Sequence, residues 1–586
     1  MTTETEAVET TPQIPSSPPK SYLVADCGTI HTTVALFDAA AGSYRLIATA
    51  TVLTTAVAPW NDVHLGIRQA TQQIAEITGR QLVNTRGDLI RPARASGTGV
   101  DVFIAVFSAA PALRTVIAGL FDKVSLASAQ RLINSSYAIP LDAISLADTR
   151  SQSEQIQSII HHQPDVILVV GGTDNGAVQQ PLNLLETVRI SALALNETVK
   201  SHVLFAGNNA LRQQAIAILG ENISLHMANN VRPSLKSENL HDASRVLNEL
   251  YEAIKIKSLP GIKETTEWTN FPLRPTAPAL KLIAEYLAEL QKGRVLLVDV
   301  GGSSVTIADA APDGNGCLYV RNDLGMGEPL GHLLDKIPLA NVARWLPDAV
   351  DEAELANFIH NKALYPQSIP AEESELRMEQ AVVRELLRLT MTENRAGFDN
   401  GPTPLRLLVA RGGAFSNFTR YNQVLLTLLD ALPLSGIFAT AVDTYGILPA
   451  LGVLAAQEPL AAVQAFEGSM LTNLGWIVVP SGKGQPGQKV LHVILEPSET
   501  QRIEIEVAYG TIETLPLAVG ESAKVTLQPE RRFDVGYGPG KQQTITIRGG
   551  VVGLVIDARG RRPLSLPDSD EARQTLLRQW IRDIGG

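Results

Sequence analysis

One pattern occurs twice in this chain and limits the folds that the chain can adopt. An apolar, β-rich run ends in Asp, and Gly and hydroxyl side chains follow it, at residues 22–33 and again at residues 295–306. A glycine at such a strand end lets the backbone come close to a ligand, and the N–H and hydroxyl groups of the turn can donate to phosphate oxygens. The repeat therefore indicates two hairpins that can grip one ligand across a cleft.

In the first copy, Asp26 is a candidate catalytic residue that can hold a magnesium ion, usually through water, because this small cation keeps most of its hydration shell. Gly28, Thr29 and Thr32 are the candidate phosphate-binding residues. A plain hairpin with a structural Asx turn is the alternative interpretation of this segment.

In the second copy, Asp299 is the matching catalytic and magnesium candidate. Gly301, Gly302 and Ser303 are the phosphate-binding candidates. A third strand ends in the pair Gly412–Gly413, which is expected to lie under the adenosine of a bound nucleotide. The chain has neither a G-x-x-x-x-G-K-[ST] phosphate loop nor a first-strand G-x-G-x-x-G dinucleotide signature, so these two classes of nucleotide site are disfavoured.

Composition and charge exclude several other classes. Hydrophobic residues make up 45% and charged residues 19% of the 586 residues, which is ordinary for a globular protein. The formal net charge of −11 argues against nucleic acid as the main partner. The two cysteines are far apart, so a reducing, cytoplasmic location is the simplest interpretation. The most apolar stretch, residues 436–463, is interrupted by charged residues and proline, and we expect no membrane span.

Regular alternation of short apolar runs with helical periodicity predicts parallel α/β units up to about residue 257 and again from residue 294. The final part reads as short strands between Gly/Pro turns, typical of an all-β barrel or sandwich. The predicted boundaries are a disordered tail (1–20), a first lobe (21–100), an α/β region (101–257), a linker and helix (258–293), a second lobe (294–467) and a β-rich domain with a terminal helix (468–586).

Further motifs lie between and after the two loops. They are Gly171-Gly172-Thr173-Asp174-Asn175-Gly176, Ala206-Gly207-Asn208, Asn230-Val231-Arg232-Pro233 and Asn322-Asp323-Leu324-Gly325-Met326. In this order, together with the two Asp-x-Gly loops, they resemble the glutamate mutase L family over roughly residues 21–460. This family is unrelated to the mismatch-repair protein with a similar name.

The resemblance implies a two-lobed actin-like ATPase fold, built from duplicated ribonuclease H-like halves, with ATP and Mg²⁺ bound between the lobes. It also implies a protein partner, a cobalamin-dependent mutase, which the chain would reactivate or assemble. It leaves the oligomeric state open. The predicted fold class is thus α/β, with an extended α/β region and an appended C-terminal all-β barrel or sandwich.

Several positions depart from the family pattern. Ile30 replaces a hydroxyl residue, Thr33 a frequent lysine, Thr306 an acidic residue and Asn175 a glycine. Each of the first three lowers the charge or hydroxyl count near the phosphates, which is compatible with nucleotide binding and slow or absent hydrolysis. Asp174 is the remaining catalytic candidate, although a cap of the following helix is the simpler interpretation of this residue.

Three functions stay open at this point. The first is an ATP-binding, and in the enzymatic case ATP-hydrolysing, accessory protein for a partner protein. The second is a nucleotide-binding scaffold or filament-type protein that has lost hydrolysis. The third is a small-molecule kinase, which needs a general base near the γ-phosphate that the sequence does not identify.

Overall fold

A computed structural model describes residues 21–585, apart from residues 41–42, 175, 197–200, 270, 394–402, 468–469, 499–500 and 561–563. The predicted disordered tail and Asn175 lie outside the described residues. No helix among the described residues has the length and apolar character needed to cross a membrane.

The first lobe begins with the strand that carries Asp26. Its elements are β1 (Ser21–Cys27), β2 (His31–Ala40), β3 (Ser43–Leu53), α1 (Val63–Thr78) and β4 (Val102–Phe107). Strands β1 to β3 form an antiparallel meander, and β4 pairs with β1 in parallel. The predicted boundary at residue 101 therefore differs from the structure, because β4 belongs to the sheet of the first lobe.

An inserted α/β unit follows, with a sheet of its own. Its elements are β5 (Leu113–Ala118), α2 (Ala127–Ile133), β6 (Ala138–Ile144), α3 (Gln152–His162), β7 (Val166–Val169), α4 (Gln179–Asn196), β8 (His202–Phe205), α5 (Arg212–Leu219), β9 (Ser224–Met227) and α6 (His241–Tyr251). All strands are parallel, in the order β6-β5-β7-β8-β9. The predicted strand–helix alternation is confirmed here.

The stretch that was predicted to contain a linker is folded into the molecule. Its elements are α7 (Ile262–Trp268), β10 (Arg274–Pro275) and α8 (Thr276–Gln291). The Trp268 ring is buried against His64 and Phe103, with centroid distances of 4.6 and 5.6 Å. Strand β10 extends the first sheet to the order β10-β4-β1-β2-β3. Composition rich in Pro, Thr and Glu was therefore a poor indicator, because the few apolar residues of this stretch are buried.

The second lobe repeats the plan of the first. Its elements are β11 (Arg294–Val300), β12 (Val305–Ala310), β13 (Gly316–Arg321), α9 (Leu333–Lys336), α10 (Leu339–Ala343), α11 (Glu352–Leu364), α12 (Glu373–Glu393), β14 (Leu405–Arg411), α13 (Gly413–Ser416), α14 (Tyr421–Ala431), β15 (Gly436–Val442), α15 (Leu448–Gln457) and α16 (Pro459–Glu467). Strands β11 to β13 form an antiparallel meander, and β14 and then β15 join it in parallel. The duplicated topology is consistent with an actin-like ATPase fold.

The lobes share an apolar core. Tyr22 and Val24 of β1 pack in one buried cluster with Ile283 of α8, Val409 of β14 and Leu451 of α15. Because each lobe contributes one face of its sheet, the strand ends that carry the Asp-x-Gly loops meet at the junction between the lobes.

The C-terminal part is rich in β-strands, as predicted, but it is not simply appended. Its elements are β16 (Thr472–Val479), β17 (Lys489–Ser498), β18 (Gln501–Ala508), β19 (Ile512–Leu515), β20 (Ser522–Pro529), β21 (Gln543–Arg548), β22 (Gly553–Asp557) and α17 (Asp570–Asp583). Strand β16 pairs with β15, and the sheet of the second lobe continues as β13-β12-β11-β14-β15-β16-β22-β19. A second sheet, β18-β17-β20-β21, packs on this extension through a shared apolar cluster.

Candidate functional site

Two hairpin turns of the same geometry lie where the lobes meet. The Gly28 N–H donates to the His31 carbonyl at 2.9 Å, and the Gly301 N–H donates to the Ser304 carbonyl at 2.9 Å. Each turn follows a buried strand, β1 or β11, and leads into its antiparallel neighbour. The repeated sequence pattern thus folds into a repeated turn.

The two turns touch each other beside a cavity of about 280 Å³. A Cβ atom built on Gly302 would lie 2.6 Å from both Thr29 Oγ1 and Ile30 Cγ1, so a larger side chain would force the turns apart. The cavity is lined by these residues predicted from the sequence: Asp26, Gly28, Thr29, Asp299, Gly301, Gly302, Ser303, Gly412 and Gly413. The structure therefore brings nine of the eleven predicted site residues together on one continuous surface.

The turns offer N–H donors to this cavity. Among the described residues, the N–H groups of Thr29, Ile30, Gly302 and Ser303 have no acceptor. Successive N–H groups in a turn form a concavity that suits an anion; Gly302 is buried, and Thr29, Ile30 and Ser303 are half-buried. These four groups are therefore available to a ligand with several acceptor oxygens.

The structure does not bring Thr32 to the cavity. Its side chain is 1% exposed and lies against α1, where a Cβ on Gly66 would come within 3.2 Å of Thr32 Oγ1. Since side chains alternate along a strand, Thr33 faces the cavity instead and shares a 3.0 Å hydrogen bond with Thr51.

A residue whose role the sequence did not reveal occupies the centre of the site. Arg411, the last residue of β14, forms ion pairs with Asp26 through Nη2 and with Asp299 through Nη1. Its Nε lies 3.4 Å from the carboxylate of Asp443. Arg411 stands directly before the predicted Gly412–Gly413 turn, and only the pairing of β14 with β11 places it beside Asp299.

The electrostatics follow from burial. Burial raises the pKa of Asp26 to about 6, although Arg411 acts in the opposite direction. Burial also raises the pKa of Asp443. For Arg411, burial acts to lower the pKa, but the carboxylates of Asp299 and Asp26 outweigh it, and the net direction is upward. The Tyr137 side chain lines the same cavity, and burial raises the pKa of its hydroxyl.

A magnesium ion held directly between Asp26 and Asp299 does not fit this arrangement, because the guanidinium of Arg411 occupies the space between the two carboxylates. One oxygen, Asp299 Oδ1, is buried without a hydrogen-bond partner in the described structure. The other oxygen of Asp299 is held by Arg411. In this structure, the guanidinium of Arg411 therefore occupies the position that was predicted for a magnesium ion between Asp26 and Asp299.

The predicted adenosine loop also lines the cavity. Gly412 has φ +111°, and a Cβ at this position would lie 2.2 Å from the Val300 carbonyl oxygen, so only glycine fits. Lys362 and Glu379, from helices α11 and α12, form a buried ion pair of 2.8 Å that lines the same cavity. No sequence signal identified this pair, because charged residues in helices usually face solvent.

The segment around Met326 supports the second turn. The Met326 N–H donates to the Gly301 carbonyl at 2.9 Å, and the Gly327 N–H donates to the Gly302 carbonyl at 2.8 Å. The carbonyl and the following N–H of a trans peptide unit point in opposite directions. The N–H groups of Gly302 and Ser303 therefore point away from the segment around Met326.

Asp174 does not line the cavity described above. Its carboxylate accepts hydrogen bonds from the Asn209 N–H at 3.1 Å and from Asn230 Nδ2 at 2.8 Å, and its own N–H donates to the Pro233 carbonyl at 3.1 Å. It thereby joins the loops that follow β7, β8 and β9. The structure supports a loop-fixing role for Asp174, and among the described residues its carboxylate accepts hydrogen bonds from Asn209 and Asn230 rather than from the following helix, α4.

A comparison with protein-family models agrees with the sequence motifs. The family model described as MutL protein matches residues 22–470. No curated protein matches the chain. Solved structures resemble it distantly: acetone carboxylase (10% identity, 84% of this chain and 81% of that chain, TM-score 0.31), a diol dehydratase-reactivating factor (11%, 75% and 99%, 0.30) and component A of (R)-2-hydroxyglutaryl-CoA dehydratase from Acidaminococcus fermentans (8%, 76% and 98%, 0.26).

Proposed function

We propose that this chain, which belongs to the MutL family, is an ATP-binding accessory protein that acts on a partner protein, namely a cobalamin-dependent mutase. The observation that carries the nucleotide part is the pair of facing turns with four unpaired N–H groups beside one cavity. The partner part rests on membership of the family.

The residues of the cleft have separate tasks in this proposal. The N–H groups of the two turns and the hydroxyls of Thr29 and Ser303 hold phosphate oxygens, whereas Gly412 and Gly413 leave room for the nucleoside. A bound triphosphate supplies negative charge and contacts to both lobes. Because the two turns belong to different lobes, a ligand held by both turns favours one lobe arrangement over others. Such a shift is what an accessory protein can transmit to a partner.

Isothermal titration calorimetry with ATP, ADP, GTP and tripolyphosphate tests the nucleotide part. Thr29→Val removes a hydroxyl that lines the cavity, and we expect an affinity loss of about ten- to hundredfold, since a hydrogen bond to a charged group contributes about 1.5–3 kcal/mol. Thr32→Val is the matched control, because Thr32 lies outside the cavity. No ATP binding by the wild type, or equal effects of the two variants, contradicts the proposal.

The partner part needs its own experiment. A purified adenosylcobalamin-dependent mutase, inactivated by turnover, is incubated with the chain in the presence of ATP. Recovery of mutase activity that depends on ATP supports the accessory role. Absence of recovery together with absence of co-elution in gel filtration contradicts it.

A nucleotide-binding scaffold without turnover is the second candidate, and two observations favour it. Arg411 holds both loop aspartates, and Ile30 places an apolar side chain where the two turns meet. ATP binding without phosphate release, with assembly measured by light scattering, would support this candidate over the first.

A further inference from the structure

Arg411 bridges the two lobes with one cationic group. Strand β14 lies between β11 and β15, and its register aligns Arg411 with Asp299. The guanidinium reaches Asp26 of the first lobe through Nη2, and Nη1 stays on Asp299. The Arg411 side chain is only 12% exposed. A single side chain therefore holds, from inside the fold, the two carboxylates for which the sequence predicted a metal ion.

The hydrogen bonds around the site show that Asp26 and Asp299 are the main partners of Arg411. The third carboxylate, on Asp443, already accepts hydrogen bonds from three N–H groups, those of Gly446, Ile447 and Leu448, at 2.9–3.3 Å. Asp26 has one further donor, the Thr276 hydroxyl at 3.2 Å. A planar guanidinium suits two carboxylates because its N–H groups form a rigid fork and it stays charged.

We infer that Arg411 takes the place of a directly bound divalent cation between Asp26 and Asp299. This inference rests on the proposed function only in taking the cleft to be a nucleotide site. The described residues include no group of three or more His, Cys, Asp or Glu side chains arranged to hold a metal ion. Asp299 Oδ1 alone stays open. One oxygen supplies a small share of the six-ligand shell of a hard cation.

The consequence concerns the protein without nucleotide. The wild-type cleft binds a divalent ion only weakly at this place, because any ion between the aspartates must displace a buried, charge-paired guanidinium. Removal of that guanidinium leaves two uncompensated carboxylates that face each other across the lobes, and these attract a hard cation.

Electron paramagnetic resonance of Mn²⁺ tests this on the full chain without nucleotide. We expect the wild type to leave the signal of free Mn²⁺ unchanged at millimolar ion concentration. Arg411→Met should bind Mn²⁺ at least about tenfold more tightly, since unpaired buried carboxylates favour a cation strongly. Addition of Asp299→Asn to that variant should abolish the binding. Arg411→Lys, which keeps a positive charge, is the matched control and should behave like the wild type.

The wild type alone decides the matter if Arg411→Met does not fold. Mn²⁺ binding by the wild type that Asp299→Asn abolishes overturns the inference. An ATP titration of the same sample keeps the two proposals apart. Absence of ATP binding, with the Mn²⁺ signal unchanged, refutes the nucleotide function and leaves the role of Arg411 standing. ATP binding together with Mn²⁺ binding by the nucleotide-free wild type supports the nucleotide function and refutes the inference about Arg411.

Discussion

Replacement of Arg559 by Met tests how firmly the C-terminal part is tied to the second lobe. The Arg559 side chain is fully buried, and its Nη1 lies 2.6 Å from Asp430 of α14. Its Nε lies 2.9 Å from Asp557 of β22. The guanidinium also stacks over the Trp580 ring of α17 at 4.6 Å from the centroid. Helix α14, strand β22 and helix α17 thus meet at one cation.

The size of the effect follows from burial. Arg559→Met leaves the carboxylates of Asp430 and Asp557, each at most 1% exposed, without this cation. Loss of one partner of a buried ion pair costs about 3–5 kcal/mol. Arg578→Met is the matched control: Arg578 pairs with Asp348 at 3.1 Å, but both side chains are about half exposed. A pair of that kind contributes less than about 1 kcal/mol.

Urea unfolding followed by tryptophan fluorescence measures both variants, and Trp580 reports on the neighbourhood of Arg559. We expect the free energy of unfolding to fall by about 3–5 kcal/mol in Arg559→Met and by less than about 1 kcal/mol in Arg578→Met. The reasoning is refuted if Arg559→Met stays within about 1 kcal/mol of the wild type, or if both variants lose the same amount.

Three further expectations concern other buried groups. Burial raises the pKa of Asp26 to about 6, so protonation of Asp26 stabilises the folded protein. This stabilisation is fully present below about pH 4 and is lost as the pH rises through 6, and Asp26→Asn should remove the pH dependence from melting curves. Asp174→Ala should cost about 1–3 kcal/mol in thermal unfolding, with ATP affinity unchanged in calorimetry. Lys362→Met leaves Glu379 unpaired and should cost about 3–5 kcal/mol; Lys362→Met/Glu379→Leu should recover most of it.

The sequence predicted the turns well because their signal is local. A buried strand, an Asp, a Gly and hydroxyls follow one another within a few residues, and each is needed where it stands. Thr32 shows the limit of this method. Whether Thr32 or Thr33 faces the cavity depends on where the hairpin turn ends, and a shift of one residue exchanges the two faces of a strand.

Non-local features stayed hidden. The role of Arg411 depends on β14 pairing with β11, about a hundred residues earlier in the chain, and no pattern around Arg411 announces that neighbour. The same applies to β16, which has the alternation of an ordinary strand but joins the sheet of the second lobe. Burial of Trp268 in the expected linker was also invisible, because composition averages over the few residues that pack.

The pairing of β15 with β16 has a mechanical meaning. Main-chain hydrogen bonds connect β11, which carries Asp299, through β14 and β15 to β16 and on to β22, with a register shift between Thr440 and Ala441. A tilt of the second lobe against the first therefore swings the C-terminal sheets through the same angle.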